Sequence, residues 1–200
     1  MAVLDAELEH RAAYAQAFGR AAIAFVFTMV DIRVGAERTF DLVPDVIGYW
    51  LFYQVASALL PLHRAAVMVR MHAKILLGLA ALLLLVELFT VGAGAIVLPL
   101  GLLVLIGDVI MVWTLCGIVV DVGQHLTRPK LVTAAANRRR FYVAFTIFVA
   151  TIPLLVVTFA GSDLTGAIAT VLFVAFVAVI LLVIQMYGLM RVTERVVTVD

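Results

Sequence analysis

Long apolar stretches alternate with short polar stretches along the whole chain. Two of the apolar stretches lie back to back within residues 75–120, separated only by Gly92-Ala-Gly94. Each has about 20 residues, which an α-helix needs to cross a hydrocarbon core of roughly 30 Å. The pattern predicts six such segments, at residues 13–34, 46–62, 75–92, 96–120, 141–160 and 167–190. It therefore predicts an all-α fold, a polytopic transmembrane helical bundle, in which residues 1–200 form a single integral membrane domain.

The first two segments are weaker than the other four. The uninterrupted apolar run of the first is only residues 21–30, so a crossing requires Arg20 and Arg33 to reach out of the hydrocarbon at its ends. The second, residues 46–62, is only about 25 Å long as a helix. It begins at Pro44-Asp45, a typical helix start. Either it spans the membrane, or it is a re-entrant or surface-lying segment.

The distribution of basic residues predicts the orientation of the bundle. Lys and Arg concentrate in cytoplasmic loops of membrane proteins. They are frequent in the connector 63–74 and in the polar stretch 121–140, and absent from the turns at residues 92–94 and 161–166. Both termini are therefore predicted to be cytoplasmic. Six of the basic residues are candidates for contacts with anionic lipid, namely Arg64, Arg70, Lys74, Arg138, Arg139 and Arg140.

Composition agrees with a membrane protein and excludes several other classes. Apolar residues make up 66% of the chain and charged residues 14%, against about half and a quarter in soluble domains. The lipid bilayer is thus the predicted surrounding. A net charge of +1 indicates no nucleic-acid partner. The one cysteine, Cys116, excludes a disulfide framework or a thiolate metal cluster within the chain, and no cofactor or metal is predicted.

Two acidic residues fall inside the predicted spans. Glu87 and Asp108 lie at similar distances from the cytoplasmic side on adjacent antiparallel segments. An acid at the centre of a membrane helix costs about 2.5–3.5 kcal/mol and is a candidate for function. The two carboxyl groups are predicted to share a proton or bind a cation, or else to act as interhelical hydrogen-bond donors. Further candidate partners are Gln185, Thr146, Thr151 and Thr158.

A second cluster of charges lies around the loop between the first two segments. The stretch reads Asp31-Ile-Arg33, then Phe40-Asp41-Leu-Val-Pro44-Asp45-Val-Ile-Gly48-Tyr49. It resembles small, uncharacterised bacterial multi-pass membrane proteins with an Asp-x-Arg and a Leu-x-Pro-Asp-x-Ile-Gly-Tyr run, over about residues 20–60. The resemblance implies a bacterial source, hence the bacterial cytoplasmic membrane, but no activity. Asp31, Arg33, Asp41, Asp45 and Tyr49 are either an ion-pair cluster or a solvated outer loop.

Two functional classes follow from the sequence. Small size, short outer loops and the lack of catalytic motifs favour a structural or accessory subunit of a membrane assembly, partnered by other membrane subunits or by copies of itself. The alternative is a proton- or cation-coupled transporter or channel that uses Glu87 and Asp108. An enzyme is a third choice, because the chain has no HExxH, G-x-S-x-G, P-loop or dinucleotide-binding pattern.

Overall fold

Six α-helices make up the part of the chain that the structure describes. The computed structural model describes residues 2–28, 42–60, 63–89, 94–159 and 165–199; within these, it does not describe the side chains of residues 2–10, 42, 87–89, 94–99, 101–102, 149–150, 152–159, 165–169, 172 and 199. The helices are α1 (Ala2–Phe27), α2 (Leu42–Leu59), α3 (Ala66–Phe89), α4 (Gly94–His125), α5 (Pro129–Phe159) and α6 (Thr165–Val199). The described residues contain no strand, so the predicted all-α fold is confirmed.

The six helices form a closed ring. Each helix packs on its neighbour in the chain, and α6 returns to pack on α1. Because successive helices run antiparallel, the first residues of α1 and the last residues of α6 lie at the same end of the bundle, here called the termini end. Gly19 marks this packing, since a Cβ atom there would lie 2.9 Å from Oε1 of Glu194 in α6. The opposite end is called the far end.

The polar stretches at the termini end are mostly helical, where the sequence pattern predicted connectors. α3 begins at Ala66 and so includes most of the connector 63–74, and α6 continues to Val199. In the stretch 121–140, only residues 126–128 interrupt the helices. Lys, Arg and Ala are strong helix formers, so these helices extend past the ends of their apolar segments.

The break between α4 and α5 has a local cause. Thr127 has a φ of 51°, and the backbone N–H of Arg128 donates to the carbonyl oxygen of Gly123 at 2.8 Å. This is the hydrogen bond of a Schellman motif, which ends a helix with one residue in the left-handed conformation. Pro129 then occupies the first position of α5, where its missing N–H costs nothing.

The first two segments differ most from their predicted bounds. α1 begins at Ala2 and ends at Phe27, whereas the prediction was 13–34. α2 begins at Leu42, so Pro44 lies within its first turn and not at its first position. The two helices approach closely: a Cβ atom on Gly48 would lie 3.2 Å from the carbonyl oxygen of Ala24. Rings of Phe25 and Phe52 meet edge to face at 4.9 Å between centroids.

Three helices in the described part of the chain are long and apolar enough to cross a membrane. The stretches are Ala66–Val86 in α3, Leu103–His125 in α4 and Phe173–Thr198 in α6, with mean hydropathies of 1.9, 2.5 and 2.5. The prediction of a membrane protein with several spanning helices is thus confirmed in this coarser form, with three candidate spans where six were predicted. Compared with these three helices, the others carry more charge, are shorter or are described only in part; they are α1, α2 and α5.

Candidate functional site

Asp108 is buried at the centre of the helical ring. Its relative exposure is 8%, and the hydroxyl group of Tyr142 in α5 donates a short hydrogen bond to its Oδ2 atom. Tyr142 is itself buried, at 3%. The preceding residue, Gly107, lets α3 approach α4, since a Cβ atom there would lie 2.9 Å from Cδ2 of Leu76. A carboxyl group and a phenol are thus paired away from lipid and bulk solvent.

A cavity of about 240 Å³ lies beside this pair. Four helices, α2, α4, α5 and α6, contribute to its walls together with Thr28, the residue after α1. Six of its lining residues are polar: Thr28, Asp45, Tyr49, Asp108, Tyr142 and Thr146. Since a water molecule takes about 30 Å³ of liquid volume, the cavity has room for several. Buried water binds where a site is both roomy and polar. The cavity therefore provides Asp108 with space for hydrogen-bonded water or a small ion.

The arrangement is suited to proton exchange. A carboxyl group can accept and release a proton, a phenol hydroxyl can donate to it, and water beside them can carry the proton on. The described residues contain no group of three or more His, Cys, Asp or Glu side chains that could hold a metal ion.

The structure describes the surroundings of Asp108 but not the side chain of Glu87, its predicted partner. Glu87 lies near the far end of α3, and its side chain lies outside the described residues. Its role stays a prediction. Gln185 is half-buried on α6 but does not line the cavity, whose α6 wall is Val179 and Leu182. Of the three predicted threonines, Thr146 lines the cavity, whereas Thr151 is exposed; the Thr158 side chain is outside the described residues.

Two residues of the predicted outer-loop cluster line the cavity. Asp45 and Tyr49 lie one turn apart on α2, and both line the cavity together with Asp108. Tyr49 is buried, at 3% exposure. The other three members, Asp31, Arg33 and Asp41, lie outside the described residues. Asp45 and Tyr49 thus form part of a cavity wall, and the predicted alternatives of ion-pair cluster and solvated loop stay predictions.

The basic residues predicted to contact lipid lie toward the termini end. Arg64, Arg70, Lys74 and Arg140 are exposed, and Arg138 and Arg139 are half-buried. Two of them stack on aromatic rings: the guanidinium carbon of Arg70 lies 5.7 Å from the ring centroid of Tyr53, and that of Arg139 lies 4.1 Å from Trp113. Their contact with anionic lipid stays a prediction.

Sequence reasoning missed Tyr142 as the partner of Asp108, and it missed Thr28 altogether. A signal for Tyr142 was present, because Tyr142 and Thr146 are four residues apart and therefore share one face of an apolar helix. Two polar residues on one face of a membrane helix indicate a polar neighbour. Nothing in the sequence distinguished Asp108 from Glu87 as that neighbour.

Comparison with protein-family models, with curated proteins and with solved structures found no match to this chain. The resemblance over residues 20–60 therefore stays a prediction.

Proposed function

We propose that this protein is a proton-coupled transporter or channel of a membrane and that Asp108 is the residue that carries the proton. The observation that supports the proposal is a buried carboxyl group, hydrogen-bonded to Tyr142, beside a polar cavity. An ionisable residue inside a membrane bundle is costly, and such residues commonly belong to ion and proton pathways. The chain has none of the catalytic or nucleotide-binding motifs named above, so the energetic cost of burying Asp108 is the strongest indication of function.

The Tyr142 hydroxyl gives Asp108 a partner in both protonation states. It donates to the carboxylate, and after protonation the carboxyl group still has an accepting oxygen for the same hydroxyl. The new carboxyl O–H needs an acceptor, which water in the cavity offers. With that water, neither state leaves a buried polar group without a hydrogen bond, which would cost about 1–3 kcal/mol. A site that is satisfied in both states can exchange a proton without a large rearrangement.

Proton flux into liposomes tests this function directly. Purified protein is reconstituted into liposomes that contain a pH-sensitive dye, and a potassium gradient with valinomycin supplies the driving potential. We expect acidification of the lumen faster than in protein-free liposomes, with or without an added co-solute. Flux equal to that of protein-free liposomes under every gradient and co-solute tested would remove the proposal.

The finer topology is also a proposal. We place all six segments in the membrane region and both termini in the cytoplasm of a bacterial cell, because the basic residues collect at the termini end. In a Cys116→Ala background, Ser162→Cys is expected to react with an impermeant thiol reagent on intact cells. Thr133→Cys, exposed at the termini end, is expected to react only after permeabilisation. The reverse pattern would invert the orientation.

An accessory subunit of a membrane assembly is the second candidate. Two of the connections between helices, residues 90–93 and 160–164, are only four and five residues long, as suits a protein that acts through neighbours in the membrane. Native mass spectrometry after gentle extraction separates the candidates. Stoichiometric foreign subunits would favour the accessory role, whereas a monomer or homo-oligomer would favour transport.

A further inference from the structure

An arginine of α5 stacks on a tryptophan of α4 at the outer surface of the bundle. The guanidinium carbon of Arg139 lies 4.1 Å from the ring centroid of Trp113, and Trp113 is 42% exposed. The Nε atom of Arg139 is buried, whereas its two Nη atoms reach the surface, and none of the three has a hydrogen-bond partner among the described residues. The ring thus orients the guanidinium group, and the donors of the Nη atoms stay open to a ligand.

The described residues offer no carboxylate to this arginine. α4 carries two acids, but each has another partner. Asp108 accepts the hydrogen bond of Tyr142. The Oδ2 atom of Asp121 lies 3.1 Å from Nε2 of His63. α5 has no Asp or Glu, and its four basic residues are Lys130, Arg138, Arg139 and Arg140. The negative charge that complements Arg139 therefore has to come from outside the described residues.

The stack lies at the level where the bundle leaves the hydrocarbon. Residues 138–140 of α5 are three consecutive arginines, and each would be costly at the centre of a membrane. The hydrocarbon therefore ends near Trp113, although the apolar stretch of α4 continues to His125. Helix lengths agree, because Trp113 is about 28 Å from the first residue of α4, and Arg139 is about 30 Å from the last residue of α5. Both lengths match a hydrocarbon core of roughly 30 Å, and lipid headgroups lie just outside that core.

A second stack of the same kind lies at the same level. The guanidinium carbon of Arg70 in α3 lies 5.7 Å from the ring centroid of Tyr53 in α2. The close approach of Leu76 to Gly107 fixes the register of α3 on α4, and this register brings Arg70 level with Trp113. Arg70 is exposed and forms no ion pair with a described residue. Two guanidinium groups at one level of the bundle are thus held by aromatic rings and lack an anion.

A third stacked arginine shows the same arrangement with its anion present. The guanidinium carbon of Arg191 lies 5.4 Å from the ring centroid of Tyr187, and its Nη1 atom lies 2.8 Å from Oε2 of Glu194. A ring and a carboxylate of the chain together hold this guanidinium group. Arg70 and Arg139 have the ring alone, so the place of the carboxylate is open to an oxyanion of another molecule.

We propose that Arg139 with Trp113, and Arg70 with Tyr53, bind the phosphate groups of anionic phospholipids at the membrane face of the termini end. A guanidinium group donates two parallel hydrogen bonds to phosphate oxygens. The occupant is a lipid because both stacks lie where headgroups border the bundle, and Trp and Tyr rings favour that layer. Arg64 and Arg140 stack on no ring among the described residues and contribute only general attraction to an anionic surface.

Fluorescence quenching tests the site at Arg139. Trp50→Phe leaves Trp113 as the only tryptophan of the chain. The protein is reconstituted into phosphatidylcholine vesicles that contain increasing fractions of brominated phosphatidylglycerol or, separately, of brominated phosphatidylcholine, since bromine quenches an indole ring that it contacts. We expect half-maximal quenching at an at least fivefold lower fraction of the anionic lipid. Equal curves for the two lipids would overturn the site.

Arg139→Gln and Arg140→Gln separate a specific site from general attraction. They remove the same charge from adjacent residues, but Arg140 is exposed and stacks on no described ring. In the Trp50→Phe background, Arg139→Gln should abolish the preference for phosphatidylglycerol, and Arg140→Gln should keep it within twofold. If Arg139→Gln does not fold, Arg139→Lys replaces it, because a lysine keeps the charge but cannot donate two parallel bonds. An equal loss in both positions, or a retained preference in the folded Arg139 variant, would overturn the site.

Native mass spectrometry counts the lipids at both sites. After extraction in detergent with excess phosphatidylglycerol, Arg70→Gln and Arg139→Gln should each retain one lipid fewer than wild type. Arg64→Gln is the matched control for Arg70→Gln and should retain as many as wild type; unchanged retention in Arg70→Gln would remove the second site. Displacement of the lipid by inorganic phosphate at the same concentration would assign the sites to a free anion and overturn the lipid. Neither measurement involves proton flux, so both outcomes are independent of the proposed transport function.

Discussion

Asp108→Asn is expected to reduce proton flux in liposomes to that of protein-free liposomes, a loss of more than tenfold. The side chains are nearly identical in shape, so the cavity and the packing around α4 are retained. An amide cannot take up and release a proton as a carboxyl group does. A tenfold loss of rate corresponds to about 1.4 kcal/mol in activation free energy, and removal of the carrier itself should exceed that value.

The matched control for this substitution is Asp121→Asn. Asp121 is exposed at the termini end of α4, where its Oδ2 lies 3.1 Å from Nε2 of His63. The flux of the Asp121→Asn protein should remain within twofold of wild type. Glu87→Gln is the companion that tests the predicted pair of acids: a comparable loss would add Glu87 to the pathway. Wild-type flux in a folded Asp108→Asn protein would exclude Asp108 as the carrier.

Tyr142→Phe is expected to lower flux about tenfold and to lower the melting temperature. The substitution removes one hydroxyl group and leaves the aromatic ring of residue 142, which packs where α5 meets α4. Asp108 then loses the donor that the structure shows. Loss of a buried hydrogen bond of this kind costs about 1–3 kcal/mol. Flux is measured in liposomes and melting by the thermal shift of the protein in detergent.

Tyr187→Phe is the matched control, because it removes the same group from an exposed tyrosine on α6. That hydroxyl accepts a hydrogen bond from Nε of Arg191 at 3.1 Å, away from the cavity. Its flux and melting temperature should stay close to wild type. A Tyr142→Phe protein with unchanged flux and a lowered melting temperature would restrict Tyr142 to a structural role, and Asp108 would then act without it.

The apolar pattern by itself determined the class of the fold. Runs such as those of α3, α4 and α6 require helices, because a backbone in lipid must satisfy its hydrogen bonds within the segment. The cost of an acid in such a run also made Asp108, together with Glu87, a candidate from the sequence alone. The bounds were less accurate, since the helices continue into charged stretches such as residues 129–140. The hydrophobic pattern does not indicate where a helix ends if the polar residues beyond the apolar run are themselves good helix formers.

Only the tertiary structure decided what surrounds Asp108. Sequence position placed Asp45 and Tyr49 in an ion-pair cluster or a solvated outer loop, and it named Glu87 as the partner of Asp108, which stays a prediction. The ring packs the short α2 against longer helices, and this brings Asp45 and Tyr49 to the cavity. Tyr142 reaches Asp108 across 34 positions of the chain. Which side chains meet depends on the relative shift and rotation of packed helices, a property of the side chains between them that no single segment contains.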